Sequence, residues 1–145
     1  MLKTSVYIEV SNASPRKSEK RYGYVLEAEK NGNPVTREGF GSVTGTYHQA
    51  VLAAMIDALK RYEKPSEVHL VCANGFVLGQ FKNLKAWLKN DFRTSKGKPV
   101  ANQEEWRKLA CLTAQHKIIT EQMEKSSYTG WLKMKLKDKE EIQDV

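Results

Sequence analysis

The side chains able to do chemistry form two groups, a sparse set of nucleophiles and ligands and a dense set of cations. His48, His69 and His116 are widely spaced and lack an accompanying cysteine pair, so zinc-ligand spacing is absent. His69 lies in a strand-like run and reads as a satisfied core or interface residue. Cys72, between Val71 and Ala73, reads as an inert buried thiol. No P-loop, GxGxxG or GxSxG pattern occurs. The cations are more informative. Lys82, Lys85, Lys89, Arg93, Lys96 and Lys98 follow one another with a single acid, Asp91, among them. The first three recur at i, i+3 and i+7, one side of a helix, and the others prolong that side. Such a nearly unopposed row suits phosphate, the plain alternative being a solvated basic face. Trp87 sits inside the row, as a stacking surface for a sugar or base or as an apolar anchor like Trp106. A second group, Arg16, Lys17, Lys20 and Arg21, lies in the polar stretch 12–21.

The elements that must position these residues follow from periodicity and turn chemistry. Residues 4–11 alternate, with Val6, Ile8 and Val10 on one face of a strand. Residues 22–30 and 35–43 form a hairpin about Asn31-Gly32-Asn33-Pro34. Ala50, Val51, Ala54, Met55, Ala58 and Leu59 recur with helical spacing over 47–62, with Thr44 or Thr46 as N-cap. After Pro65, residues 67–73 form a short strand buried on both faces. Short helices are expected near 76–79 and 84–90, a basic connector over 91–99, a helix to Gln115 and a strand over 116–123. The end is ambiguous. Leu132, Met134 and Leu136 alternate as in a strand, while the Lys/Glu-rich remainder favours a helix, which is the expectation adopted.

Size and composition bound the rest. The chain has 145 residues, one domain's length, and 24 basic against 17 acidic residues leave a net charge of +7. With 40% hydrophobic and 28% charged residues, neither a membrane protein nor a disordered chain is expected. No run approaches 18 apolar residues, and the start has no secretory h-region. Cys72 and Cys111, in apolar surroundings, suit reduced, buried thiols. The expectation is a single domain over 1–145, cytoplasmic, with no membrane contact.

The order β-β-β-α-β-α-α-α-β-(α) is an α/β pattern, and with the residues that carry it the chain resembles ribonuclease HI. The strongest stretch is 83–117, with Trp87, Lys98-Pro99-Val100, Asn102, Trp106, Leu109 and Gln115-His116. Tyr22-Gly23, the run 49–54 and Glu67-Val68-His69-Leu70 support it. The match covers about 4–123, leaving 124–145 as a divergent C-terminal segment. The resemblance implies an RNase H-like fold, a five-stranded mixed sheet with flanking helices and a basic protrusion that grips DNA-strand phosphates of an RNA–DNA hybrid. It places the first loop beside the catalytic cleft, where small polar residues touch 2′-hydroxyls. Here the helix start reads Thr46-Tyr47-His48-Gln49, and Tyr47 suits stacking on an unpaired base or a protein-binding surface.

The resemblance also implies four carboxylates around two magnesium ions, since hard Mg²⁺ takes oxygen ligands. Carried over one by one, three of these positions fall on Ser11, Val51 and Ala73, and the fourth has only Asp138 as a gapped candidate. The resulting expectation is no metal, no cofactor and no enzyme: a catalytically inactive RNase H-like domain, a pseudoenzyme. It would bind a hybrid or duplex as an accessory or blocking factor, through Lys82, Lys85, Trp87, Lys89, Arg93, Lys96, Lys98, Arg16, Lys17, Lys20, Arg21 and Tyr47. Two alternatives stand beside it. One is a protein–protein interaction or inhibitor module acting on a nucleic-acid-handling protein. The other is a metal-dependent ribonuclease with relocated carboxylates, Glu9 being the candidate on the Ser11 face of the first strand.

Overall fold

The computed structural model describes residues 1–143, with side chains through residue 137. Five strands form one mixed sheet in the order β3-β2-β1-β4-β5, with β1 Leu2–Val10, β2 Ser18–Lys30, β3 Asn33–Gly45, β4 Ser66–Cys72 and β5 Lys117–Gln122. The β1-β2 and β2-β3 pairs are antiparallel, and the β1-β4 and β4-β5 pairs are parallel. Asn31 and Gly32 turn the β2–β3 hairpin, both with positive φ (54° and 80°), the conformation that two-residue turns demand. Across that hairpin Tyr24 faces Gly39 and Tyr22 faces Gly41, and each ring occupies the space a Cβ would need.

Helix α1 (Tyr47–Leu59) starts at Thr46, whose hydroxyl accepts from the Gln49 N–H while Gln49 reaches back to the Thr46 N–H. This capping box satisfies two N-terminal donors. Its apolar face buries Val51, Leu52, Met55 and Leu59 against Val6, Ile8, Val68 and Leu70 of the sheet. Next come α2 (Gly75–Gln80), a 3₁₀ turn (Phe81–Asn83), α3 (Leu84–Lys89) and α4 (Gln103–Thr113). The last element, α5 (Thr129–Gln143), resolves the ambiguous end as a helix. Thr129, Leu132 and Leu136 are buried at i, i+3 and i+7, whereas Met134 is 51% exposed, which a strand burying all three alternating apolar residues would not allow. Tyr128 packs on Tyr7 with ring centroids 4.9 Å apart, so α5 covers the sheet face opposite α1. Asp138 lies outside the residues whose side chains are described.

Two expectations need correction. The first loop is shorter than the stretch 12–21, because β2 begins at Ser18 and takes Lys20 and Arg21 into the sheet, where both are buried. The Lys20 ammonium donates to the carbonyls of Arg16 and Gly45, each at 2.7 Å, and to the Ser18 hydroxyl at 2.8 Å. It clamps the loop to the end of the hairpin rather than meeting phosphate. Lys20→Met, which keeps the stem, should leave those carbonyls without their donor and cost about 3 kcal/mol in urea denaturation. A midpoint equal to that of the parent protein would refute the clamp. Cys111, expected inside, is exposed on α4, while Cys72 is buried.

Candidate nucleic-acid interface

The basic row of the sequence lies along one stretch of chain, here called the handle, from the 3₁₀ turn to the connector before α4. Lys82 stands on the 3₁₀ turn, Lys85 and Lys89 on α3, and Arg93, Lys96 and Lys98 in the connector; all six are exposed. Among the described residues none of the six is paired with a carboxylate, and Asp91 is engaged by Arg107, Nη2 to Oδ1 at 3.0 Å. The Arg93 guanidinium donates to the Gly97 carbonyl at 3.0 Å. Asp91 and Phe92 bend the chain at the handle's base with φ of 52° and 54°, unusual for side chains of this size. Phe92 is nevertheless buried; its N–H donates to the Trp87 carbonyl at 2.7 Å, and its own carbonyl accepts from Val100 and Gln103.

Trp87 belongs to this support rather than to the outer face. Its ring meets Trp106 edge-on with centroids 5.3 Å apart, and Phe81 meets Trp106 from another side at 5.1 Å. Trp87 is half-buried, so of its two readings the packing favours the apolar anchor.

The other named residues gather at the C-terminal ends of β1 and β4, parallel neighbours, where ligands of open α/β sheets commonly bind. Ser11 follows β1, and its hydroxyl accepts from the Arg21 N–H at 3.0 Å. Ala73 follows β4 and is half-buried, whereas Val51 is 1% exposed within the core. Arg16 and Lys17 remain exposed on the first loop, which the Ser14 carbonyl ties to the Tyr47 N–H at 3.1 Å. Glu9 is half-buried at this end. Burial raises its pKa, Lys133 and Thr129 oppose the rise, and Glu124 adds to it. Burial, with Cys72, Glu9 and Glu124 nearby, pushes the Tyr47 phenol up to about 12, so it stays protonated. Burial likewise lifts the Cys72 thiol to about 11, as an inert thiol requires.

His69 is satisfied on the sheet as expected, by carboxylates. Its ring nitrogens contact Glu67 at 3.0 Å and Glu121 at 2.8 Å, and these bonds raise its pKa. Sequence reasoning missed a ring series at the cleft. His48 stacks on Phe76 at 4.7 Å and 22°, and Tyr47 lies 5.9 Å from His48.

The RNase H family model matches residues 3–124. This chain belongs to the ribonuclease H family. Among its curated relatives, the ribonuclease H of Nitrosospira multiformis is 42% identical over 84 residues, covering 57% of this chain and 54% of the relative. That of Campylobacter curvus is 33% identical over 98 residues, 67% of this chain and 64% of the relative. The chain thus spans a little over half to under two thirds of the length of these ribonuclease H relatives. Among solved structures, LC9-RNase H1 superposes with a TM-score of 0.73 at 13% identity, covering 94% of this chain and 69% of the other. The foamy viral protease–reverse transcriptase in complex with dsDNA gives 0.70 at 20% identity, covering 94% and 90%. These likenesses show the RNase H-like fold.

The expectation of a chain that is not an enzyme is corrected by these findings. Relatives at 42, 34 and 33% identity are named ribonuclease H, and the family match extends over most of the chain, so the reading of the chain as no enzyme does not stand. The two-magnesium arrangement implied by the resemblance is a separate matter. A hard dication needs several oxygen donors, yet among the described residues no three His, Cys, Asp or Glu side chains gather to hold one. Glu9 feels the Lys133 cation as well as the Glu124 carboxylate. Among the described residues the donor set therefore does not fit that arrangement.

Proposed function

We propose that this ribonuclease H family domain engages an RNA–DNA hybrid or duplex, gripping phosphates with the handle cations Lys82, Lys85, Lys89, Arg93, Lys96 and Lys98. Arg16 and Lys17, on the loop tied to the start of α1, extend the contact to the cleft. The observation that carries the proposal is the handle itself. Six exposed cations, without a carboxylate partner among the described residues, are braced by the buried Trp106. Arg21, buried in β2, is not among the exposed cations. The foamy viral protease–reverse transcriptase, solved with dsDNA and with an RNA/DNA hybrid, supports the substrate class.

Titration of a labelled hybrid at several salt concentrations tests the proposal. Four to six phosphate contacts release enough counterions for a log–log slope of roughly −4 to −5. A slope near zero, or no binding at low salt, would reject it in favour of a protein partner. The same samples with Mg²⁺ or Mn²⁺ read hydrolysis directly. Metal-dependent cleavage that Glu9→Gln removes would assign the reaction to the half-buried carboxylate at the cleft.

A further inference from the structure

Phe76 is an aromatic side chain left 62% exposed at the start of α2, and it is not isolated. Its ring lies nearly parallel to that of His48, 4.7 Å and 22° apart. The imidazole covers part of the Phe76 ring, and much of the remainder meets solvent. The pair is held in place from below. Asn74 is buried; its Nδ2 donates to His48 Nδ1 at 2.8 Å, and its Oδ1 accepts the Val77 N–H at 2.9 Å. With Nδ1 accepting, the imidazole carries its proton on Nε2. Burial lowers the His48 pKa, which favours the neutral ring. Tyr47 continues the series 5.9 Å from His48.

We infer that the Phe76–His48 stack is a seat for one unpaired nucleobase of the nucleic acid that the handle holds. The inference rests on the binding proposed above. Three features favour a base over other flat ligands. Bases stack on aromatic rings with little regard to sequence. Cations that hold the attached backbone stand on both sides in the chain: Arg16 and Lys17 on the loop tied to Tyr47, and Lys82 six residues beyond Phe76. The His48 ring is also fixed in advance by Asn74, which caps the helix that carries Phe76, so little ordering is required on binding. The base must be unpaired because bases within a helix already have both faces covered by their neighbours.

The test uses the full chain and two hybrids of equal length. One is fully paired; the other carries a single bulged 2-aminopurine, whose fluorescence falls on stacking. The bulged hybrid should bind about tenfold more tightly, with quenching. Phe76→Ala should abolish the preference and the quench while leaving affinity for the paired hybrid and its salt slope in place. Phe76→Trp should retain both. Equal affinity of the parent protein for the two hybrids, or a preference surviving Phe76→Ala, would overturn the seat alone. Failure to bind either hybrid would overturn the seat together with the proposed function. Circular dichroism of the exposed-site variants confirms that each is folded.

Discussion

Replacing Lys85, Lys89 and Arg93 together with glutamine is expected to flatten the log–log salt slope of hybrid binding by roughly two to three units. Each phosphate contact contributes about 0.9 to that slope, so three lost cations set the size of the change. Glutamine is a good helix former, so α3 should survive the first two replacements. The third removes the Arg93 bond to the Gly97 carbonyl, an exposed contact of small effect on stability. Near-ultraviolet circular dichroism of Trp87 and Trp106 reports whether the handle remains docked. An unchanged slope in a docked triple variant would make the row an ordinary solvated face and leave the proposed grip without its source.

Trp106→Ala should have the largest effect on stability, about 4 kcal/mol. The indole is 2% exposed and receives both Phe81 and Trp87 edge-on, so its removal opens a cavity and frees the handle's support together. The midpoint of urea unfolding checks the first effect, and hybrid affinity under native conditions checks the second. Trp106→Phe fills part of the space and should recover part of both. A Trp106→Ala variant with parental stability and full affinity would show that Phe81 and Trp87 hold the handle without it.

Much of the fold is legible because local signals agree with the tertiary arrangement. The Asn31-Gly32 turn, the helical spacing from Ala50 to Leu59 and the cap at Thr46 each act over a few residues. Reading fails where a distant partner decides. Lys20 belongs by type to a polar loop, yet an acceptor 25 residues away, the Gly45 carbonyl, draws its ammonium inside. At the C-terminus the alternation of Leu132, Met134 and Leu136 competes with the i, i+3, i+7 set that includes Thr129. A threonine gives little warning that it will be buried. Phe76, for which no local signal marks exposure, gains His48 as a companion only through the approach of α1 to α2. Ser11, Val51 and Ala73 are plainly not carboxylates, but reading the chain as no enzyme on that ground conflicts with its named relatives. Residue identity at three positions describes a donor set and is narrower than a statement about activity.

The Asp91–Arg107 pair bears on how fast the molecule finds its target. At 3.0 Å the bridge places a positive charge beside the one carboxylate between Lys82 and Lys98, so the handle presents nearly uniform sign to any polyanion that approaches it. Long-range attraction acts before any contact forms, raising the frequency of encounter and orienting the partner with the handle foremost. Both side chains are substantially exposed, and the field is damped beyond about 10 Å at 0.1 M salt. If the handle grips nucleic acid as proposed, the bridge acts on association kinetics at low ionic strength, setting which end of the molecule arrives first.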